Sequence, residues 1–235
     1  MSCNCDTTQK TKFTGKSALF IILLSIFLVV AIFLLVIGYA IIWKLDERVD
    51  KLVQYEVQVK RIEKITKIMS TYPLYGIEPY VYAVTFDTLS RKYGIDWEAI
   101  AATIDIETGR TWLPTQKSSA ACKGIMQMKE STAEMEANKQ GIPYHKDTTV
   151  WMEIRAIDLG SSYLSKGLKE HKYKEGFKYY VGGSGFQKVE ELAKKKGNKT
   201  KKEHARHIRI AKYIQYYSDI VFREYRKLCM MSSNK

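Results

Sequence analysis

Residues 97–133 read WEAIAATIDIETGRTWLPTQKSSAACKGIMQMKESTA, and the fold turns on how this stretch is parsed. Trp97, Ile100, Ala101 and Ile104 recur at the three- and four-residue steps of one buried helix face. Asp96 is an N-cap residue type in front of that helix, and Gly109 is a C′ stop behind it. Glu107 follows Ile104 at the same spacing, so it carries the apolar stripe into the last turn. A carboxyl there is desolvated and faces the negative end of the helix dipole. Both influences raise its pKa, which is what a general acid working near neutral pH requires. The plainer reading is a surface carboxylate on a frayed helix end, since Glu is rarely buried unpaired.

Further on run Ser118-Ser119-Ala120-Ala121-Cys122-Lys123-Gly124-Ile125-Met126-Gln127-Met128 and then Ser131-Thr132-Ala133. Together with Glu107-Thr108, this resembles the core of the soluble lytic transglycosylase family, within the lysozyme superfamily. That family shows a Glu-Ser pair, a Ser- and Gly-containing loop, a Gly-Leu-Met-Gln run and a Thr-Ala opening the next helix. Here Thr108 replaces Ser, Ala121-Cys122 takes the place of Gly-Ala, and the loop is about two residues longer than the family's. Glu130 lies near the usual Pro. Other pieces follow in the family's order: Lys92-Tyr93-Gly94-Ile95-Asp96, the helix Ile157–Leu164, Tyr180-Val181-Gly182-Gly183-Ser184-Gly185 and Ala211-Lys212-Tyr213-Ile214. Val181 stands where the family has Asn. The resemblance spans roughly Thr85 to Tyr225.

What the resemblance implies is a mainly α, lysozyme-like domain that cleaves the β-1,4 bond between N-acetylmuramic acid and N-acetylglucosamine. Glu107 is then the catalytic acid, and afterwards the base that draws the muramyl 6-hydroxyl proton as a 1,6-anhydro ring closes. Ser118, or failing that Ser119, is the loop hydroxyl; Met126 and Gln127 line the cleft; Tyr180, or alternatively Tyr179, orients the carboxyl or the N-acetyl group. No cofactor and no metal are implied. Ordinary glycosidases use two carboxyl groups, yet Thr108 to Lys129 holds no Asp or Glu, and Asp105, two residues before Glu107, points to another helix face. Two further functions remain open on the same fold, a hydrolytic goose-type lysozyme and a non-catalytic wall-binding scaffold.

The formal net charge is +13 over 235 residues, most of it downstream of residue 70, a field that draws polyanions such as wall polymers, anionic lipid or nucleic acid. The basic run Lys194–Lys202 has no recognition motif beside it, so no specific nucleic-acid partner is expected. Cys3 and Cys5 precede an apolar segment, where cysteines can be acylated. Cys122 and Cys229 are distant in sequence, and spacing does not decide whether they pair. His204 and His207 have no zinc-ligand spacing around them.

In chain order, residues 1–17 form a polar tail, and Ala18 to Trp43 run without a charge. At 1.5 Å per residue such a helix spans a hydrocarbon core, with Tyr39 and Trp43 at one interface. The run is longer than a cleaved signal's apolar core, so an anchor through residues 18–43 in the lipid bilayer is expected. Flanking charges do not orient it, but a wall substrate puts the C-terminal domain on the wall side. Residues 44–79 read as a helical stalk and linker, broken by Pro73, Gly76 and Pro79, and residues 80–235 as the domain. Within it, helices are expected at Tyr80–Tyr93, Trp97–Thr108, Ser131–Lys139, Thr149–Leu168, Lys172–Tyr180 and Glu203–Leu228, with Lys188–Lys202 as a basic linker. Oligomeric state and host, whether phage, conjugative machine or the cell itself, leave no mark in the residues.

Overall fold

A computed structural model describes residues 15–116, 121–146, 148–195 and 200–233. Among them the chain is mainly α, in two compact units, Met1–Gln58 and Val59–Lys235. The first helix, α1 (Gly15–Met69), belongs to both.

In the first unit, α1 is apolar on every side: the large side chains from Leu19 to Trp43 are exposed. Its span is long and apolar enough to cross a membrane, with a mean hydropathy of 3.5 and none of that window buried in protein. Ser25, a hydroxyl within the apolar run, returns a hydrogen bond to the Ile21 carbonyl (2.9 Å) and so satisfies its own polar group. Glu47 and Lys51 pair one turn apart (2.6 Å) on the charged stretch that follows.

The second unit begins at Val59, upstream of the break expected at Thr71–Pro79. The reason is packing: Ile65, Ile68 and Met69 of α1 are buried in the main core, and Arg61 pairs with the buried Asp87 (3.2 Å) and bonds Ser90 Oγ (3.0 Å). The chain then turns through Pro73 into α2 (Pro79–Tyr93), where Pro79 occupies the first turn and needs no N–H partner. Gly94 ends α2 in the left-handed conformation at φ +62°, donating to the Ser90 carbonyl.

Helix α3 (Trp97–Glu107) is the centre of the domain, buried from Trp97 through Asp105 and enclosed by α2, α5 and α8. Asp96 holds the N-cap position by its backbone, but its carboxylate does not cap the helix. It accepts the Tyr173 hydroxyl (2.5 Å) and the Tyr225 hydroxyl (2.8 Å) instead, tying α3 to later helices. After α3 the loop dives inward at Trp112, fully buried against Tyr72, Tyr82 and Phe86. One isolated antiparallel bridge, Lys123 to Met128, closes a tight turn.

The remaining helices are α4 (Glu130–Lys139), α5 (Glu153–Glu170), α6 (Tyr173–Gly182), a short 3-10 turn (Gly183–Gly185), α7 (Phe186–Lys194) and α8 (Lys201–Ser233). Helix α7 corrects the expected basic linker at Lys188–Lys202. Phe186 is buried, Val189 and Ala193 follow on the same face, and Lys178 of α6 bonds Glu190 (2.9 Å). Helix α8 opens with a reciprocal cap, in which Thr200 N–H donates to Glu203 Oε2 (3.2 Å) and Glu203 N–H to Thr200 Oγ1 (3.3 Å).

Candidate active site

Glu107 is the last residue of α3. Behind it the chain makes a Schellman turn: Arg110 N–H donates to the Asp105 carbonyl (2.6 Å), Gly109 N–H to the Ile106 carbonyl (3.1 Å), and Gly109 adopts φ +57°. Thr108, the departure from Ser, is fully buried and serves the turn. Its hydroxyl donates to the Ile104 carbonyl (2.8 Å) and accepts from Trp112 N–H (3.1 Å). These bonds fix where the Glu107 side chain leaves the helix.

The residue is half-buried, and burial of its carboxyl dominates its titration. Burial pushes its pKa up to about 7, and a hydrogen bond from the Tyr217 hydroxyl to Oε1 (2.6 Å) works the other way. Tyr217 lies on α8, buried, and its own pKa stands well above the ordinary value because of burial and the Glu107 charge. It therefore remains a donor throughout the working range. Tyr213, one turn earlier and exposed, also feels the Glu107 charge, as does the buried Tyr180.

The expected site residues divide. Tyr180 comes close enough to feel Glu107, but its hydroxyl donates to the Met126 carbonyl (2.7 Å), so it braces the loop and does not bond the carboxyl. Tyr179 packs with Phe186 and Ile214 in a small separate cluster. Met126 is a core residue, with no exposed surface, against the expectation that it lines a cleft. It fills the space left by Gly160 of α5, where an added Cβ would stand 2.6 Å from Met126 Cε. Ser118 and Ser119 lie outside the described residues.

Gln127 is 8% exposed and adopts φ +44°. Its Nε2 donates to the Gln116 carbonyl (2.8 Å) and the Gly124 carbonyl (2.9 Å), while its buried Oε1 has no protein partner. Both donors are thus used inside the loop, and the one amide atom left unpaired is a buried acceptor. Gly124 permits this turn with φ +75°, and any Cβ there would run into the Val150 carbonyl oxygen. Arg110, Trp112 and Ala121 share the left-handed region with Gln127, so the non-glycine residues of that kind among those described all fall between Glu107 and α4. Each costs on the order of 1–2 kcal/mol, and such residues cluster at functional loops.

Asp105 is turned away from Glu107: it accepts Trp112 Nε1–H (2.8 Å) and lies 3.8 Å from Arg110. Its carboxyl is raised chiefly by burial, opposed by that bond. Glu153, at the start of α5, is pushed up to about 7 by burial, and no charge from Glu107 contributes. Cys122 and Cys229 are not joined in a disulfide, and Cys122 influences two of the tyrosines that Glu107 does, Tyr180 and Tyr213. Among the described residues no group of three or more His, Cys, Asp or Glu stands ready to hold a metal.

The spacing of α3 pointed to a buried Glu107, but spacing alone did not single out Tyr217, which stands between Ile214 and Val221 on the stripe of α8. What marks it out is a hydroxyl in a row of aliphatic positions, because a buried tyrosine O–H seeks a partner.

Comparison with known proteins adds to this geometry. Residues 85–205 match the family described as Transglycosylase SLT domain. One of eleven matching solved chains is the X-ray structure of an inactive mutant of the lytic transglycosylase Slt from Pseudomonas aeruginosa. It is 19% identical with a TM-score of 0.47, and the match covers 60% of this chain and 23% of that one. No curated protein matches the chain.

Proposed function

This chain belongs to the Transglycosylase SLT domain family, and we propose that it is a membrane-anchored peptidoglycan lytic transglycosylase built on a lysozyme-like helical domain. The observation that carries the reading is the Glu107 carboxyl, raised to about 7 and held by a single tyrosine hydroxyl on one oxygen. At neutral pH such a group is protonated in about half of the molecules, and so is able both to give a proton and to take one. Glu107 donates to the oxygen between N-acetylmuramic acid and N-acetylglucosamine as that bond breaks. The N-acetyl oxygen of the muramyl sugar supports the developing cation. Glu107, now a carboxylate, removes the proton of the muramyl 6-hydroxyl, and that oxygen closes the 1,6-anhydro ring.

No water enters this sequence, and no second carboxyl is needed. The orientation of Asp105 toward Trp112 and Arg110 favours this route over a two-carboxyl hydrolysis. Gln127 Oε1, the amide atom without a protein partner, is the acceptor left for a sugar hydroxyl or N-acetyl N–H. The apolar part of α1 anchors the enzyme in a bilayer, with the catalytic domain on the wall side, which confines cutting to wall near the membrane. That serves local opening of the wall, as phages, conjugative machines and growing cells require.

Purified sacculi test the proposal. The full chain in detergent should release 1,6-anhydro-muropeptides, and Glu107→Gln should lose activity by about 10²–10⁴-fold. A Glu107→Gln protein that clears sacculi at the original rate would remove Glu107 from the chemistry.

A further inference from the structure

Helix α8 reaches Glu107 through Tyr217, and the row of residues leading away from that contact is unusual. Stepping back along one face by four, four, three and four residues passes Tyr213, Arg209, Arg206 and Lys202. Tyr213 is exposed and feels the Glu107 charge, so the row starts at the candidate site itself. Arg209, Arg206 and Lys202 are exposed, and Lys212 lies beside them. Among the described residues, Arg206, Arg209 and Lys212 form no ion pair. The acid nearest in sequence, Glu203, is engaged in the cap with Thr200, and Glu190 of α7 is turned to Lys178. From Tyr217 to Lys202 the row is roughly 22 Å long at the α-helical rise.

A cationic row this long would exceed what a neutral sugar chain needs. The sugars of a wall strand are held by hydroxyl and ring contacts, whereas their peptide substituents carry free carboxylates. We propose that this face of α8 is a track for the carboxylates of the peptide stems, and that the enzyme acts on peptide-bearing strands in preference to bare glycan. The inference rests on the reading of Glu107 as the wall-cutting acid and adds to it the form of strand that is taken. Arginine suits the purpose, since its planar fork pairs with carboxylate in a bidentate manner. Exposed charges are screened beyond about 8–10 Å at physiological salt, so the track acts on capture and registration of the strand and not on the proton transfers.

The test compares two substrates with the full chain in detergent: intact sacculi, and strands stripped of their stems by an amidase. Arg206→Glu with Arg209→Glu should lower kcat/KM on intact sacculi by about tenfold at low salt, through KM, as expected for loss of a focusing field. The same protein should cut stripped strands at the original rate, and 0.5 M salt, used in the assay as a screen, should narrow the difference on intact sacculi to about twofold or less. Arg206→Lys with Arg209→Lys should retain most of the preference. If the charge reversal disturbs α8, Arg206→Gln with Arg209→Gln serves in its place, with an unchanged thermal transition as the check. Equal loss on both substrates, or no loss on intact sacculi, would overturn the track while leaving Glu107 in its role. Failure of the unmodified protein to release anhydro-sugar from either substrate would overturn both.

Discussion

Burial pushes the Glu107 carboxyl up to about 7 while the Tyr217 hydroxyl pulls it down, so the two can be separated by mutation. Tyr217→Phe removes a bond that favours the charged form. The Glu107 pKa should then rise further, and the alkaline limb of the pH–activity profile should move upward with it. A profile that stays in place would mean that the hydroxyl contributes nothing to the carboxyl's acidity. The same shift affects stability. In the unfolded chain the group titrates near its ordinary 4.5, so between that value and 7 the folded protein holds the extra proton. Stability therefore falls as pH rises through this window. Glu107→Gln, which cannot ionise, should be more stable than the parent at pH 8 by about 3 kcal/mol and equal to it at pH 4, as read by denaturant unfolding. At this scale Glu107 was legible because helix periodicity alone sets its burial. Met126 was misplaced because a methionine beside a glycine fits core and cleft equally well by sequence, and only the approach of Gly160 decides it.

Among the elements, α3 was the most readable, since its apolar residues recur over three turns and end at a glycine that does adopt a left-handed conformation. Its first residue shows the limit of such reading. Asp96 has the right type and backbone for a cap, yet two tyrosines from 77 and 129 residues away claim its carboxylate. Helix α7 was obscured by the lysines that follow it, although Phe186, Val189 and Ala193 already had helical spacing. The loop between α3 and α4 depends on close packing against α5. Gly160→Ala should therefore force Met126 aside and cost about 1–3 kcal/mol, visible as a lowered thermal transition. An unchanged transition would mean that Met126 moves freely, and that the loop carrying Gln127 is not held from behind.

For the whole molecule, charge and hydropathy did not reveal the edge of the folded domain. Proline and glycine at Pro73, Gly76 and Pro79 punctuate the backbone, whereas the domain is bounded by where apolar side chains become buried, and that begins within α1. A chain starting at Val59 should unfold in one cooperative transition. One starting at Pro79 loses the buried Ile65, Ile68 and Met69, each worth about 1.5–3 kcal/mol, and should be largely unfolded at 37 °C. Equal stability of the two would return the end of α1 to the role of a spacer. The central claim concerns the whole enzyme and its solvent: one carboxyl passes a proton out and takes another back, and the sugar's own hydroxyl replaces water. Digestion of purified sacculi in ¹⁸O-water, followed by mass spectrometry, tests this most directly. The account predicts 1,6-anhydro-muramyl ends free of label, and labelled reducing ends would contradict it.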